Sequence, residues 1–165
     1  MLQLGRENTL ENDLFFLCSV IEYIGRVTKN RRSDVVCKLG VSAIKRLLDL
    51  ADVLHSEPLE STAQELIKKH SVKNGTFCNT SLCDFNVPSV FDIAKVYKRL
   101  IIAVANKRGQ DIVNSVVEIY TLWISAKIDN YNSSMFFESP DYIFRSYILG
   151  EPINDSHELT TGFPI

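Results

Sequence analysis

The chain has 165 residues, of which 45% are hydrophobic and 23% are charged, and its formal net charge is −2. These proportions are those of a globular domain, so they exclude a collagen-like fibre, a wholly disordered chain and a disulfide-rich miniprotein. A net charge this close to zero provides no general attraction to nucleic acid or to an acidic membrane. The length fits a single helical domain with its own core, which we place at residues 1–150.

In the first half of the chain, apolar residues recur at three- and four-residue spacings, which is the pattern of amphipathic helices. A first helix is predicted to start near Thr9, with Asp13 close to its positively polarised N-terminus. A short second helix is predicted to end at Gly40, and Ser42 is predicted to open a third. The proline at the start of residues 58–70 predicts a fourth helix there.

The second half of the chain begins with residues 71–88, which contain Asn-Gly, a proline and several Ser, Thr and Asn residues, and which we predict to be one long loop. Ser89 is predicted to cap a fifth helix, and a sixth helix is predicted over residues 111–132. Ser139, followed by a proline, is predicted to start the seventh. Residues 151–165 lack apolar periodicity, which predicts a disordered tail.

Strict alternation of apolar and polar residues is almost absent, so no sheet of consequence is expected. The predicted fold is an all-α, compact orthogonal bundle of six or seven helices with the long central loop at residues 71–88. The uncharged apolar stretches are far shorter than the roughly 20 residues that cross a bilayer, and the start of the chain lacks the features of a secretory signal. We therefore expect a cytoplasmic protein with reduced thiols and no membrane partner.

The turn at Gly40 lies within a basic segment, and residues 33–50 resemble a degenerate DNA-binding helix-turn-helix. The cations that would contact phosphate groups there are Arg31, Arg32, Lys45 and Arg46. Two positions depart from the motif, because Val36 stands where alanine is favoured and Arg46 where an apolar residue is expected. A DNA-binding regulator is therefore the alternative hypothesis rather than the leading one.

Groups suited to catalysis or metal binding are few. His70, Cys78 and Cys83 offer zinc ligands, but the Cys-x4-Cys spacing is loose and a second cysteine pair is missing. Asp52 and His55 share one helical face, which would orient an imidazole, although a hydrogen-bonded histidine at a helix end explains the same pattern. The chain has neither a Walker loop nor a dinucleotide-binding glycine motif. We predict no cofactor, no metal and no enzymatic activity.

The last third of the chain is acidic and aromatic, with eight acidic and two basic residues in 111–165. Most of its aromatic side chains are predicted to fill the core. Three of them fall at a helix end and in the loop after it, where an exposed aromatic ring can anchor a protein partner. These three residues are Tyr131, Phe136 and Phe137.

Three stretches carry a family resemblance: Ile-Glu-Tyr at 21–23, Asp-Val-Leu-His-Ser at 52–56 and Val-Tyr-x-Arg-Leu-Ile at 96–101. Through the first two, residues 15–69 resemble a family of small, uncharacterised, all-helical bacterial proteins, and the third is similar to a longer relative from gut-type Firmicutes. Such proteins tend to be encoded beside an ADP-ribosyltransferase-like toxin protein. The resemblance therefore implies an antitoxin or accessory role, and it carries over no functional residue.

The leading hypothesis from the sequence is a non-enzymatic protein–protein interaction module. Its predicted partner is another protein, and its predicted binding surface is the acidic, aromatic last third of the chain.

Overall fold

The computed structural model describes the backbone of residues 2–153 and the side chains of residues 9–153. This part of the chain forms eight α-helices and one short 3-10 helix, with no strand, so the predicted all-α class is confirmed. The helices are α1 (Leu2–Thr28), α2 (Arg32–Asp49), α3 (Ala51–Leu54), α4 (Leu59–Lys69), α5 (Val90–Arg108), α6 (Ile112–Thr121), α7 (Trp123–Ile128) and α8 (Pro140–Leu149), with the 3-10 helix at Met135–Phe137. None of these helices combines the length and the apolarity that crossing a bilayer requires.

Helices α1 and α5 form the centre of the bundle. Helix α1 packs against α2, α4 and α5, and α5 also packs against α6 and α8. The apolar side chains that α1 buries recur at helical spacing and are Leu14, Leu17, Ile21 and Ile24. They meet the buried face of α5, formed by Ile93, Tyr97, Leu100, Ile101 and Val104. Burial of this apolar surface stabilises the fold, and the amphipathic pattern of the sequence places these side chains on the faces that are buried.

Several predicted helix ends are confirmed because they depend on short-range hydrogen bonds and backbone conformation. Ser89 forms a reciprocal capping box with Asp92 at the start of α5. Ser139 caps α8, whose first residue is a proline, and Gly150 ends it in the left-handed conformation. At Gly40 the backbone leaves the helical conformation with φ of 81°, so α2 is kinked at the predicted turn.

Other helix boundaries differ from the prediction. Helix α1 begins at Leu2 rather than near Thr9, so Asp13 lies well inside the helix and not in its first turn. The predicted third helix is divided between the end of α2 and the short α3. The predicted helix over 111–132 breaks at Leu122, whose extended backbone separates α6 from α7. The break at Leu122 adds one helix, so the described residues form eight helices where the sequence predicts six or seven.

The predicted loop at residues 71–88 contains no helix or strand, and backbone hydrogen bonds attach it to the end of α1. The backbone N–H of Gly75 donates to the carbonyl of Thr28 at 2.8 Å, and that of Phe77 donates to the carbonyl of Lys29 at 2.9 Å. The loop is therefore held against the junction of α1 and α2, where its side chains take part in a buried polar cluster.

The described residues include the first three residues of the predicted tail, 151–153. The Tyr142 hydroxyl donates to the carbonyl of Ile153 at 2.6 Å, and the backbone N–H of Ile153 donates to Ser146 Oγ at 3.2 Å. These bonds attach residues 151–153 to α8. The rest of the predicted tail, residues 154–165, lies outside the described residues.

Candidate functional site

A cavity of about 480 Å³ opens between the first half of α1, α3 and the start of α5. This volume is within the range of small-ligand binding sites. Aromatic rings form much of its wall, and four titratable groups line it. The rings are Phe15, Phe16 and Phe91, and the titratable groups are Asp13, Asp52, His55 and Glu57. We call this feature the acidic cavity.

The aromatic wall runs from the core to the surface. Phe16 is buried, whereas Phe91 at the start of α5 is 53% exposed. The rings of Phe15 and Phe91 have their centroids 5.9 Å apart. Lys98 places its Nζ 5.9 Å from the centroid of Phe15, although Lys98 is not among the lining residues. The ring of Phe15 therefore already has a positive charge near it. The negative face of an aromatic ring attracts such a charge.

Two carboxylates from different helices line the acidic cavity. Asp13 of α1 and Asp52 of α3 are near enough for the charge of Asp52 to act on Asp13. Burial raises the pKa of Asp13 above its ordinary value, the charge of Asp52 and the hydrogen bond with it raise it further, and His55 opposes them. None of the described lining residues is Lys or Arg. Among these described residues, the lining therefore holds three carboxyl groups and one imidazole.

His55 is held in one tautomer at the end of α3. Its Nδ1 lies 2.9 Å from the carbonyl oxygen of Ala51 and donates a proton to it, which confirms the predicted hydrogen bond of a helix-end histidine. In the neutral ring Nε2 is then the acceptor. Ser19 also lines the cavity, but its hydroxyl donates to the carbonyl of Phe15 at 2.7 Å. It is therefore not paired with a base, as a catalytic nucleophile would be.

A second polar cluster lies further along α1 and is closed to solvent. Glu22 and Arg32 are both fully buried. Arg32 donates from Nε and Nη2 to the two carboxylate oxygens of Glu22, each at 2.9 Å. Arg26 donates to the same carboxylate at 3.0 Å, and the Tyr131 hydroxyl also donates to it. Burial by itself would raise the pKa of Glu22, but these partners hold it below its ordinary value.

The loop at residues 71–88 and the end of α7 complete this cluster. Arg32 Nη2 also donates to Asn79 Oδ1 at 3.2 Å, and Asn79 Nδ2 donates to the carbonyl of Asp129 at 2.9 Å. The Asp129 carboxyl accepts from the Tyr97 hydroxyl at 2.7 Å. Burial and the charge of Glu22 raise the pKa of Asp129 to about 7. We call Glu22, Arg32, Asn79, Asp129 and Tyr131 the buried network.

Two of the predicted surface residues belong to the buried network, so the structure contradicts their predicted roles. Arg32 is fully buried on Glu22 and cannot reach a phosphate group. Tyr131 is 2% exposed and directs its hydroxyl at the same carboxylate, so it cannot anchor a partner. Arg31, Lys45 and Arg46 are exposed, and the Arg31 guanidinium lies 4.7 Å from the Phe77 ring centroid. DNA binding through these three residues stays a prediction.

Of the other two predicted anchor residues, one is accessible to a partner. Phe137 is 67% exposed, whereas Phe136 is half-buried. Their rings pack edge to face with centroids 5.1 Å apart, and Phe136 packs in the same way on Tyr131 at 5.7 Å. Both rings border a cleft of about 220 Å³ beside α5. The structure thus leaves one rigidly held aromatic ring at the predicted surface.

Some residues of the acidic cavity were missed from the sequence. The zinc site that was considered and not predicted, at His70, Cys78 and Cys83, is also not assembled among the described residues. Asp13 was interpreted through the helix dipole, and Phe15 and Phe91 received no role. One available signal was a carboxyl group at the edge of the apolar stripe of α1, three residues before Phe16. Within the described residues, no group of three or more His, Cys, Asp or Glu side chains is placed to hold a metal ion.

Comparison of the chain with protein-family models, curated proteins and solved structures finds no match. The family resemblance of residues 15–69 therefore stays a prediction. Its second stretch, residues 52–56, contributes Asp52 and His55 to the acidic cavity.

Proposed function

We propose that the protein is a non-enzymatic interaction module whose acidic cavity receives a positively charged side chain of a partner protein. The observation that carries this proposal is that Asp13, Asp52 and Glu57 line one ligand-sized cavity whose described lining contains no Lys or Arg. An antitoxin or accessory role, as the family resemblance implies, is one biological setting for such a module.

The charge of the cavity favours a cation. Carboxylates that are partly removed from water and lack a positive partner are unfavourable, because the hydration they lose is not replaced. Burial and the charge of Asp52 both disfavour the charged form of Asp13, and the charge of His55 offsets them only in part, since the pKa of Asp13 is raised. An incoming ammonium or guanidinium group would replace that repulsion by charge-assisted hydrogen bonds.

The shape and the walls of the cavity favour a cation attached to an apolar stem. The rings of Phe15, Phe16 and Phe91 offer apolar surface for the methylene groups of a Lys or Arg side chain. The exposed position of Phe91 places this surface at the opening, where the residues flanking the basic side chain would lie. Aromatic rings also attract cations through their negative faces.

Binding is better supported than catalysis. The hydroxyl of Ser19 is engaged within its own helix, and the Nδ1 of His55 is bonded to a backbone carbonyl. Neither group is arranged as part of a nucleophile–base pair. The polar groups in the cavity are therefore ligands for a charge.

Fluorescence anisotropy with short labelled peptides tests the proposal. One peptide carries a single Arg between apolar residues, and its control carries neutral citrulline in place of Arg. We expect the Arg peptide to bind at least about tenfold more tightly, a difference equivalent to about one charge-assisted hydrogen bond. An Asp13→Asn/Asp52→Asn variant should lose this preference. An Asp34→Asn/Asp49→Asn variant, changed at exposed carboxyl groups of α2, should keep it.

Two outcomes would overturn the proposal. Equal binding of the Arg and citrulline peptides would show that the cavity does not recognise charge. Binding of a small amine such as 2-phenylethylamine, without binding of any peptide, would show that the occupant is a free small molecule and not a partner protein.

The Phe137 surface supports a second candidate for the partner-binding site. An exposed ring held by edge-to-face packing loses little conformational freedom when it is buried by a partner. If a partner docks there, Phe137→Ala should weaken capture of that partner and leave binding of the Arg peptide unchanged. Loss of both, in a variant with unchanged stability, would place the two contacts on one continuous interface.

A further inference from the structure

We infer that two copies of the chain associate through the Phe137 surface, with residues 82–85 of each copy seated in the cleft beside α5 of the other. The partner at this surface is thus a second copy of the protein. The inference rests on the second candidate site of the proposed function, whose partner it names, and it does not depend on the acidic cavity.

Residues 82–85, which we call the 82–85 segment, present large apolar side chains to solvent. Leu82 is 67% exposed and Phe85 is 72% exposed, and the exposed Asp84 lies between them. Together with Phe137, they are the most exposed of the large hydrophobic side chains in the described part of the chain. Apolar side chains exposed close together are typical of a surface that another protein covers.

Hydrogen bonds hold the 82–85 segment in one conformation. The backbone N–H of Asp84 donates to Asn132 Oδ1 at 2.8 Å, and Asn132 Nδ2 donates to the carbonyl of Leu82 at 2.9 Å. The Cys83 thiol donates to the carbonyl of Phe85 at 3.4 Å. Since the segment is already ordered, it loses little conformational entropy when it is buried by a partner.

The 82–85 segment and the cleft are neighbours in the fold. Asn132, which holds the segment, follows Tyr131, and the ring of Tyr131 packs on Phe136 at the border of the cleft. A twofold axis between two such neighbouring features lets each copy give its segment and receive the other's within one contact. This kind of contact closes at two copies and leaves neither cleft uncovered.

The cleft matches the 82–85 segment in apolarity and in charge. Lys95 and Arg99 line it and are exposed one helical turn apart on α5, so they can attract Asp84 of a second copy. The volume of about 220 Å³ admits an apolar side chain beside that contact. The apolar residues of the lining, which such a side chain would meet, are Val96, Leu100, Phe136, Phe137 and Ile143.

The other charged groups of the cleft leave these cations without a salt bridge. Asp92 accepts a hydrogen bond from the backbone N–H of Ser89 at 3.0 Å as part of the capping box. Glu138 is the remaining carboxyl group in the described lining. None of the ion pairs among the described residues includes Asp84, Lys95 or Arg99. The two cations therefore outnumber the one carboxyl group that is not part of a helix cap.

Sedimentation velocity of the full chain in reducing buffer, over protein concentrations of about 1–300 µM, tests the inference. We expect the parent protein to change from monomer to dimer within this range. Phe85→Ser should weaken the dimer at least about tenfold, because it removes an apolar anchor. Asp84→Lys should do the same, because it brings like charges together. Asp49→Lys, at an exposed carboxyl group of α2, is the matched control and should leave the dimer unchanged.

Charge exchange between copies identifies the contact. A Lys95→Glu/Arg99→Glu variant should also be monomeric, since its cleft repels Asp84. Mixing this variant with Asp84→Lys should restore dimers, because both contacts of the mixed dimer then join opposite charges. The restored dimer also shows that the two variants are folded. The control variant Lys45→Glu/Arg46→Glu, changed at exposed residues of α2, should dimerise by itself as the parent does.

Three results would overturn the inference. The first is a parent protein that stays monomeric at the highest concentration. The second is a dimer that both Phe85→Ser and Asp84→Lys leave intact, since another face would then join the copies. The third is failure of the two charge-reversed variants to pair. Binding of the Arg peptide scores the proposed function separately, because all of these variants should retain it.

Discussion

Two of the acidic residues of helix α1, Glu22 and Asp13, have contrasting electrostatic surroundings. Glu22 is fully buried and accepts hydrogen bonds from Arg32, Arg26 and Tyr131. Asp13, also on α1, is half-buried and lines an open cavity together with Asp52. The partners of Glu22 lower its pKa, whereas the surroundings of Asp13 raise the pKa of that residue.

The difference between these two sites separates a structural role from the binding role that we propose. A buried charge with well-placed partners fixes the elements that supply those partners, and here it joins α1 to α2 and to the chain after α7. Asp13 lines a cavity of ligand size whose described lining contains no Lys or Arg, so no such partner from the described lining joins it to another helix. Perturbed groups of the second kind are concentrated at functional sites.

The largest expected effect is the loss of the buried guanidinium. Arg32→Met should lower the free energy of unfolding by about 3–5 kcal/mol, because it leaves the charge of Glu22 buried without its main partner. Urea denaturation measures this change. The control is Arg31→Met at the neighbouring exposed position, which should change stability by less than about 1 kcal/mol. Equal effects of the two substitutions would contradict the structural role of the pair.

A second expected effect concerns the space that Arg32 occupies. A methyl group at Gly25 would clash with the Arg32 side chain, which crosses α1 at that point. In an unobstructed helix Gly→Ala is stabilising by about 0.5–1 kcal/mol. We expect Gly25→Ala instead to destabilise the protein by about 1–3 kcal/mol, as overpacking does. A rise in melting temperature would show that Arg32 does not lie across this glycine.

The buried network also predicts a pH dependence of stability. The pKa of Asp129 is raised to about 7 in the folded protein, so the folded state binds more protons than the unfolded state between about pH 4 and 7. Through this group, stability falls as the pH rises across that window. Asp129→Asn should remove the dependence and raise the free energy of unfolding at pH 8 by about 1 kcal/mol or more. An unchanged pH profile in chemical denaturation would refute the assignment.

The smallest expected effect on stability is at the acidic cavity. Asp13→Asn should raise the free energy of unfolding at neutral pH by about 0.2–1 kcal/mol, because it removes a repulsion that solvent partly screens. The gain should shrink as the pH falls and the parent protein takes up its proton. Asp34→Asn is the matched control and should show neither effect. Destabilisation by Asp13→Asn would mean that the charged carboxylate is needed for folding, which contradicts its proposed role.

Features of the fold that depend on a few neighbouring residues could be predicted from the sequence. The capping box of Ser89, the start of α8 at Ser139 and the turn at Gly40 each require only local hydrogen bonds or a positive φ. The break at Leu122 gave no such signal, since residues 111–132 contain neither Gly nor Pro. Helix α6 packs on α2 and α5, whereas α7 packs on the 3-10 helix, so the two segments make different contacts that local sequence does not indicate.

The candidate site could be predicted only in part, because its groups come from separate helices. The spacing of Asp52 and His55 indicated a shared helical face, and the structure places both in the acidic cavity. Nothing in that spacing indicates that α3 meets Asp13. The burial of Arg32 could not be predicted either. A cation within a basic segment is normally solvated, and nothing in the sequence shows that Arg32 pairs with Glu22.

The most direct test of the contrast between the two sites is an amide NMR titration of the labelled protein with 2-phenylethylamine at pH 8. We expect shift changes that saturate and are confined to the surroundings of Asp13, Asp52 and His55, with the amides around Glu22 and Arg32 unmoved. Shift changes centred on the buried network, or none at all up to millimolar probe, would contradict the assignment of the acidic cavity as the binding site.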